Sequence, residues 1–304
     1  MNLHGCGTAL VTPFRPGGSL DEPALRSHVE WQIANGVNLL IPAGTTGEAS
    51  TLSEQEWIRV VTVTVEAAED RVPVFAGCTH NATAQAVANA RRIARVPGLT
   101  GILSANPYYN KPSQEGQFQH FRAIAEAVDL PVMLYNIPGR TGVNLDPATV
   151  LRLAELPNVV ALKESSGNLT QITEICNFAP RSFRIFAGDD ALALPTIAVG
   201  GAGLISVASN AIPQQMAQMV NSALDNNWLT ARRINRNYFS LMQAHFWEPS
   251  PAPVKTTLAL LGRGNETLRL PMVPVTDVTR RKLERLLGEL GLLQDSPGDN
   301  LRVF

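Results

Sequence analysis

Eight short apolar runs punctuate the chain before residue 210, with amphipathic stretches between them. The runs are Thr8 to Val11, Asn38 to Ile41, Val72 to Ala76, Thr100 to Leu103, Pro131 to Tyr135, Val159 to Leu162, Phe183 to Phe186 and Leu204 to Val207. Runs this short, bounded by turn formers, read as strands buried on both faces. The intervening stretches carry apolar residues three and four apart, as in Leu25, Val29 and Ile33 or Val87, Ala90 and Ile93, which is the spacing of one helical face. Strands recurring every ~20 to 35 residues, each followed by a helix, predict parallel βα units, and eight such units close into a barrel. Helix starts carry cap chemistry: Ser53 and Glu56 form a capping-box pattern, Asp146 precedes Pro147 as N-cap and N1, and Asn168 stands before a helical stretch.

From Asn226 the rhythm stops, and helices are expected over Trp228 to Ala244, Ala252 to Leu261 and Thr279 to Leu290, separated by the proline-rich EPSPAPV and LRLPMVPVTD segments. The expected fold is α/β, a (β/α)8 TIM barrel over residues 1–225 with a C-terminal helical appendage over residues 226–304. A doubly wound open sheet would want G-x-G-x-x-G after the first strand, and LVTPFRPGGS does not supply it. The glycines of VGGAGLIS precede a strand and do not open a helix.

Twenty-five Lys and Arg against 26 Asp and Glu leave no basic field for nucleic acid or anionic lipid. Cys6, Cys78 and Cys176 are dispersed and lack C-x-x-C spacing, which argues for buried thiols over disulfides or structural zinc. His4, His28, His80, His120 and His245 show no metal-ligand spacing, and only His80 falls at a strand end. The N-terminus lacks a signal-peptide pattern, and no apolar run is long enough to span a bilayer. The expectation is a cytoplasmic enzyme acting on small molecules, without metal, nucleic acid or membrane.

In such a barrel the functional groups lie where strands meet the following loops. After the second run comes AGTTGEAST, where glycines flank Thr45 and Thr46; a tight turn requiring glycine explains that motif equally well. After the fourth comes NPYYNKPSQEG, with Tyr108 and Tyr109, and such aromatic pairs usually serve packing. The fifth ends in Tyr135, with Arg140 beyond it, and an arginine fork suits a carboxylate. The GDD at Gly188 to Asp190 puts carboxylates where phosphate-binding barrels present a helix N-terminus, which argues against phosphorylated substrates.

The sixth run ends in Lys163, followed by Glu164 and a Ser-Ser-Gly turn. An exposed lysine, with pKa ~10.4, is neutral about once in 2,500 molecules at pH 7. Desolvation that brought it to ~7.4 would leave on the order of a quarter neutral, a usable amine nucleophile. For an isolated lysine a salt bridge to Glu164 is the simpler reading, but adjacent strand residues face opposite sides. Lys163 is therefore a candidate Schiff-base lysine, with the phenol of Tyr135 placed to move protons.

The motifs GTTGEASTL, PYYNKPSQEG, LYNIPGRTG, ALKESSGN, AGDDAL, GLISV and LRLPMVPVTD occur in this order between Gly7 and Leu292. In them the chain resembles the pyruvate-dependent class I aldolases, the family that includes the N-acetylneuraminate lyases. The resemblance implies that Lys163 forms a Schiff base with pyruvate and that no other cofactor is needed. It makes Tyr135, Thr45 and Tyr109 a proton relay, with Tyr109 entering from a neighbouring subunit. Thr46 would hold the pyruvate carboxylate, Arg140 the carboxylate of L-aspartate-4-semialdehyde, and Gly188 and Ile205 would line the site. The implied reaction condenses the two substrates, cyclises and loses water, the committed step toward diaminopimelate and lysine. The implied assembly is a homotetramer built as a dimer of dimers.

Departures from the family pattern fall around its effector site. Asn81 and Tyr108 remain, whereas the other positions read Ala49, Ser50, Glu54, Trp57 and Gln85, the last an amide where a carboxylate is expected. Weak or absent inhibition by lysine follows, unless Glu54 supplies the missing charge. Asn106 stands where the family commonly has Thr, and the sequence gives no account of it. Two alternatives compete. A sugar-acid lyase of the same family would share Lys163 and Tyr135, but Arg140 with the Tyr108-Tyr109 pair favours a small anionic aldehyde. A non-catalytic binding barrel would have lost the lysine or the tyrosine.

Overall fold

The structure is a computed structural model that describes residues 3–293. Eight strands form one sheet: β1 (Gly5–Ala9), β2 (Leu39–Ile41), β3 (Phe75–Gly77), β4 (Gly101–Ala105), β5 (Val132–Asn136), β6 (Val159–Glu164), β7 (Arg184–Ala187) and β8 (Gly203–Ser206). All paired neighbours are parallel, in the order β2-β1-β8-β7-β6-β5-β4-β3. The ends meet through a parallel bridge between Leu40 and Val74, with the Leu40 N–H donating to the Pro73 carbonyl at 3.0 Å. The result is a nearly closed (β/α)8 TIM barrel with C-terminal helices.

The helices begin with α1 (Glu22–Ala34), α2 (Glu54–Ala68), α3 (Thr83–Ile93), α4 (Gln114–Ala125), α5 (Pro138–Thr141) and α6 (Pro147–Leu153). They continue with α7 (Leu169–Phe178), α8 (Ala193–Ala198), α9 (Pro213–Leu224), α10 (Trp228–Ala244), α11 (Ala252–Leu260) and α12 (Asp277–Glu289). The Ser53–Glu56 capping box forms in both directions, and Asn168 accepts from the Gln171 N–H. Asp146 corrects its expectation: it occupies the N-cap position of α6, but its carboxylate accepts the Asn144 amide at 2.9 Å and caps no helical N–H. Residues 1–2 of the expected barrel and 294–304 of the expected C-terminal region lie outside the described residues.

Two strand positions moved for physical reasons. β3 starts beyond the expected Val72 because Pro73 has no N–H to donate to a ladder. β1 starts at Gly5, where glycines hid the strand from an apolar-run reading; a Cβ on Gly7 would sit 2.6 Å from Leu39 and 2.8 Å from Ile205. Close approach of three strands therefore requires glycine there.

The barrel is filled, not hollow. Leu39, Ile41, Phe75, Leu103, Met133, Ala161, Phe186 and Ile205 pack together inside it, with Tyr135 at the same layer's edge. Fully burying each large side chain of this kind stabilises by ~1.5–3 kcal/mol. The opposite strand faces pack on the helical ring, and Met216, Met219 and Val220 of α9 join Leu241 and Met242 of α10 and Leu287 of α12 in a further cluster. No helix among the described residues is long and apolar enough to cross a membrane.

Candidate active site

Parallel pairing of β5 with β6 sets Tyr135 opposite Lys163 and Asn136 opposite Glu164. Alternation then turns the first pair inward and the second outward. The Lys163 ammonium lies 4.3 Å from the centroid of the Tyr135 ring. Glu164 points away, accepting from the Ser166 N–H at 2.6 Å, Asn136 at 2.9 Å and Gln171 at 3.2 Å. A Lys163–Glu164 salt bridge is thus excluded by register.

Lys163 is 5% exposed, and among the described residues no carboxylate lies within ion-pair distance of it. Burial lowers its pKa to about 8; the Asp190 charge opposes that fall and the Arg140 charge adds to it. About a tenth of such a group is neutral at pH 7, roughly two hundred times the fraction for an exposed lysine. Burial also pushes the Tyr135 phenol up to about 12, against the Arg140 charge and the Ser165 hydroxyl. The phenol is therefore protonated at neutral pH, ready to give a proton and take it back.

Gly188 follows β7 and leaves room for this pair. A Cβ there would meet the Ser165 hydroxyl oxygen at 1.9 Å and the Lys163 Cγ and Cε at 3.0 Å. Ile205, from β8, is fully buried in the barrel layer beneath. Two neighbours of the pair stand differently from the sequence reading, which passed over Ser165 and took Asp190 only as one of the two GDD carboxylates. Ser165 brings its hydroxyl against Gly188, and its spacing of two from Lys163 was the available signal. Asp190 does not face outward with Asp189: it is buried, accepting from the Ser206 hydroxyl at 2.5 Å, the Ala208 N–H at 3.0 Å and the Val207 N–H at 3.2 Å. Burial raises its pKa to about 6.

A cavity of about 620 Å³ opens beside Tyr135, lined by Thr45, Tyr135 and Arg140 together with Ala49, Ser50, Glu54, Trp57, His80 and Tyr108. Lys163 lies behind Tyr135 and does not line it. Thr46 is buried in the turn next to Thr45. Tyr109 is not brought into this chain's cavity: it is 87% exposed, with a backbone φ of +76°.

The positions expected around an effector site divide likewise. Glu54 is committed to Arg92 at 2.6 Å, and Trp57 donates to the Gly77 carbonyl at 2.9 Å. Asn81 donates to the Tyr108 carbonyl at 3.3 Å, and Gln85 to Asn89 at 2.8 Å, both outside the cavity lining. Asn106 now has an account: its amide reaches Gln117 at 2.9 Å, Asn136 at 3.2 Å and the Val143 carbonyl at 3.3 Å, bracing the loops after β4 and β5. His80 is a loop residue whose Nδ1 accepts the Ala82 N–H at 3.0 Å. Among the described residues no three His, Cys, Asp or Glu side chains group as metal ligands.

A family model for the dihydrodipicolinate synthetase family matches residues 2–290. The 4-hydroxy-tetrahydrodipicolinate synthase of Acidobacterium capsulatum is 60% identical, over 98% of this chain and 99% of that protein. Among solved structures, the dihydrodipicolinate synthase of Thermotoga maritima aligns with a TM-score of 0.94 at 39% identity, covering 96% of this chain and 100% of that one. The chloride-inhibited dihydrodipicolinate synthase of Acinetobacter baumannii, complexed with pyruvate, aligns with a TM-score of 0.93 at 37% identity, covering 95% and 99%. By sequence over nearly its whole length and by fold, the chain belongs to the dihydrodipicolinate synthetase family.

Proposed function

We propose that this chain condenses pyruvate with L-aspartate-4-semialdehyde to 4-hydroxy-tetrahydrodipicolinate through a Schiff base on Lys163. The observation that carries the reading is a buried lysine with no carboxylate partner among the described residues, its ammonium against the ring of Tyr135. The neutral amine attacks C2 of pyruvate, and the carbinolamine loses water to give the imine. The imine draws electrons from C3, which gives up a proton and becomes the enamine nucleophile. C3 then attacks the aldehyde carbon of the semialdehyde, whose oxygen takes up a proton. The substrate amine closes onto C2 and displaces Lys163, so the sum is one water released per product formed.

Each proton needs a carrier beside the reacting carbon, a role assigned to Tyr135 with Thr45 and, from a neighbouring subunit, Tyr109. The exposure of Tyr109 supports that last assignment and with it a dimer, while the dimer of dimers is inferred from the resemblance alone. Thr46 holds the pyruvate carboxylate, and Gly188 and Ile205 shape the floor. Arg140, exposed at the cavity rim, takes the carboxylate of the semialdehyde. The enzyme works in the cytoplasm with no cofactor beyond its own lysine. Lysine inhibits it weakly, because Glu54 is already paired with Arg92.

Turnover of pyruvate plus L-aspartate-4-semialdehyde, compared with cleavage of N-acetylneuraminate and 2-keto-3-deoxygluconate, tests the substrate assignment. A large preference for the semialdehyde is expected. A preference for either sugar acid would keep Lys163 and overturn the reading of Arg140.

A further inference from the structure

The turn that carries Thr45 and Thr46 is held from the far end of the chain. Its flanks are Ala43 at φ +53° and Glu48 at φ +54°, both in the left-handed region without glycine's freedom. Side-chain-bearing residues stay in that region only where their surroundings fix them. Within the turn the Gly47 N–H donates to the Gly44 carbonyl and the Glu48 N–H to the Thr45 carbonyl, each at 3.1 Å.

Both oxygens of the buried Glu48 carboxylate are engaged by C-terminal residues. One pairs with the ammonium of Lys255 on α11, and the other accepts the Arg269 backbone N–H at 3.1 Å. Lys255 also donates to the Thr267 carbonyl at 2.9 Å, so its position is set from two sides. A buried ion pair is a poor source of net stability, since well-packed apolar residues of similar volume often do as well or better. What the pair supplies is direction, because each Glu48 carboxylate oxygen is held by a different C-terminal partner.

We propose that the Glu48–Lys255 pair, closed by the Arg269 N–H, is a positioning clamp through which the C-terminal helices fix the Thr45–Thr46 turn for catalysis. The proposal rests on the reading of Thr45 and Thr46 as proton carrier and carboxylate holder. Removing the clamp lets Glu48 relax out of the left-handed region and carries the two hydroxyls off their targets.

The test is a steady-state comparison of the double variant Glu48→Gln/Lys255→Met with Thr45→Val, each with its thermal midpoint and pH profile. The clamp predicts a double variant that melts near the wild-type temperature, keeps the acid limb near pH 8, and yet loses about tenfold or more in kcat/KM for pyruvate. Wild-type kinetics in the double variant, beside a large loss in Thr45→Val, would overturn the clamp and leave the turn's role standing. Wild-type kinetics in Thr45→Val would overturn both. If the double variant does not fold, Lys255→Arg keeps a cation beside Glu48 while moving its donors off the point that Glu48 and the Thr267 carbonyl together fix. A fall of about threefold or more in kcat/KM at an unchanged thermal midpoint is then expected, and unchanged kinetics would overturn the proposal.

Discussion

Lys163 and Lys255 are both almost wholly buried, at 5% and 2% exposure, and each ammonium lies over an aromatic ring, Tyr135 at 4.3 Å and Phe14 at 4.4 Å. They differ in what else they touch. Lys255 meets the Glu48 carboxylate and a backbone carbonyl, so its charge is compensated where it lies. Lys163 meets neither, and the register of β5 on β6 sends the adjacent carboxylate to the other face. Burial lowers both pKa values, but Glu48 opposes the fall at Lys255 by charge and hydrogen bond together. Burial alone therefore leaves a compensated ammonium at Lys255, and under the proposed function it is the withheld counter-ion that frees Lys163 to act as an amine nucleophile.

The contrast breaks most sharply at the two ammonium groups themselves. Lys163→Met should remove on the order of 10⁴-fold or more of the turnover, because no neighbouring group can form the imine. The same change should leave the melting temperature unchanged or higher, since it strands no carboxylate, and calorimetry beside a rate assay checks both halves. Lys255→Met should do the reverse to stability, losing ~3–5 kcal/mol in denaturant unfolding because Glu48 is left buried and unpaired. Equal stability losses in the two variants would contradict the contrast.

Tyr135→Phe sharpens the comparison from the other side of the ring contact. It keeps the apolar roof over Lys163 and removes the proton carrier, so turnover should fall about 10²–10⁴-fold while the fold is retained. A smaller loss would move the proton chemistry elsewhere.

The pH profile carries the smallest effect. If the reacting form is the neutral amine of Lys163, as proposed, its pKa of about 8 makes kcat/KM for pyruvate rise with pH up to about 8 and level off above it. The Asp190 charge holds that value up, so Asp190→Asn should move the limb to lower pH. A limb moving upward would mean that Asp190 acts otherwise.

The barrel was legible because its strands are written locally, and so was the meeting of Lys163 with Tyr135. A strand that closes on Lys163 is a four-residue apolar run followed by a charge, and its partner Tyr135 ends the preceding run in the same way. Glycine-rich β1 and the Pro73 end of β3 blurred their own boundaries, since neither shows as alternating or continuous apolar residues. What stayed hidden depends on contacts the chain makes only once folded. Glu48 and Lys255 are 207 residues apart, and Asp190 meets Ser206 across two strand ends. Asp146 failed in the opposite sense: the local cap signal was present, and a tertiary amide won its carboxylate.

The most direct test is borohydride reduction of the protein in the presence of pyruvate, followed by peptide mass analysis of both buried lysines. The account predicts a stable pyruvate adduct on the peptide containing Lys163 and none on the peptide containing Lys255. An adduct on Lys255, or a folded protein with no adduct at all, would contradict it.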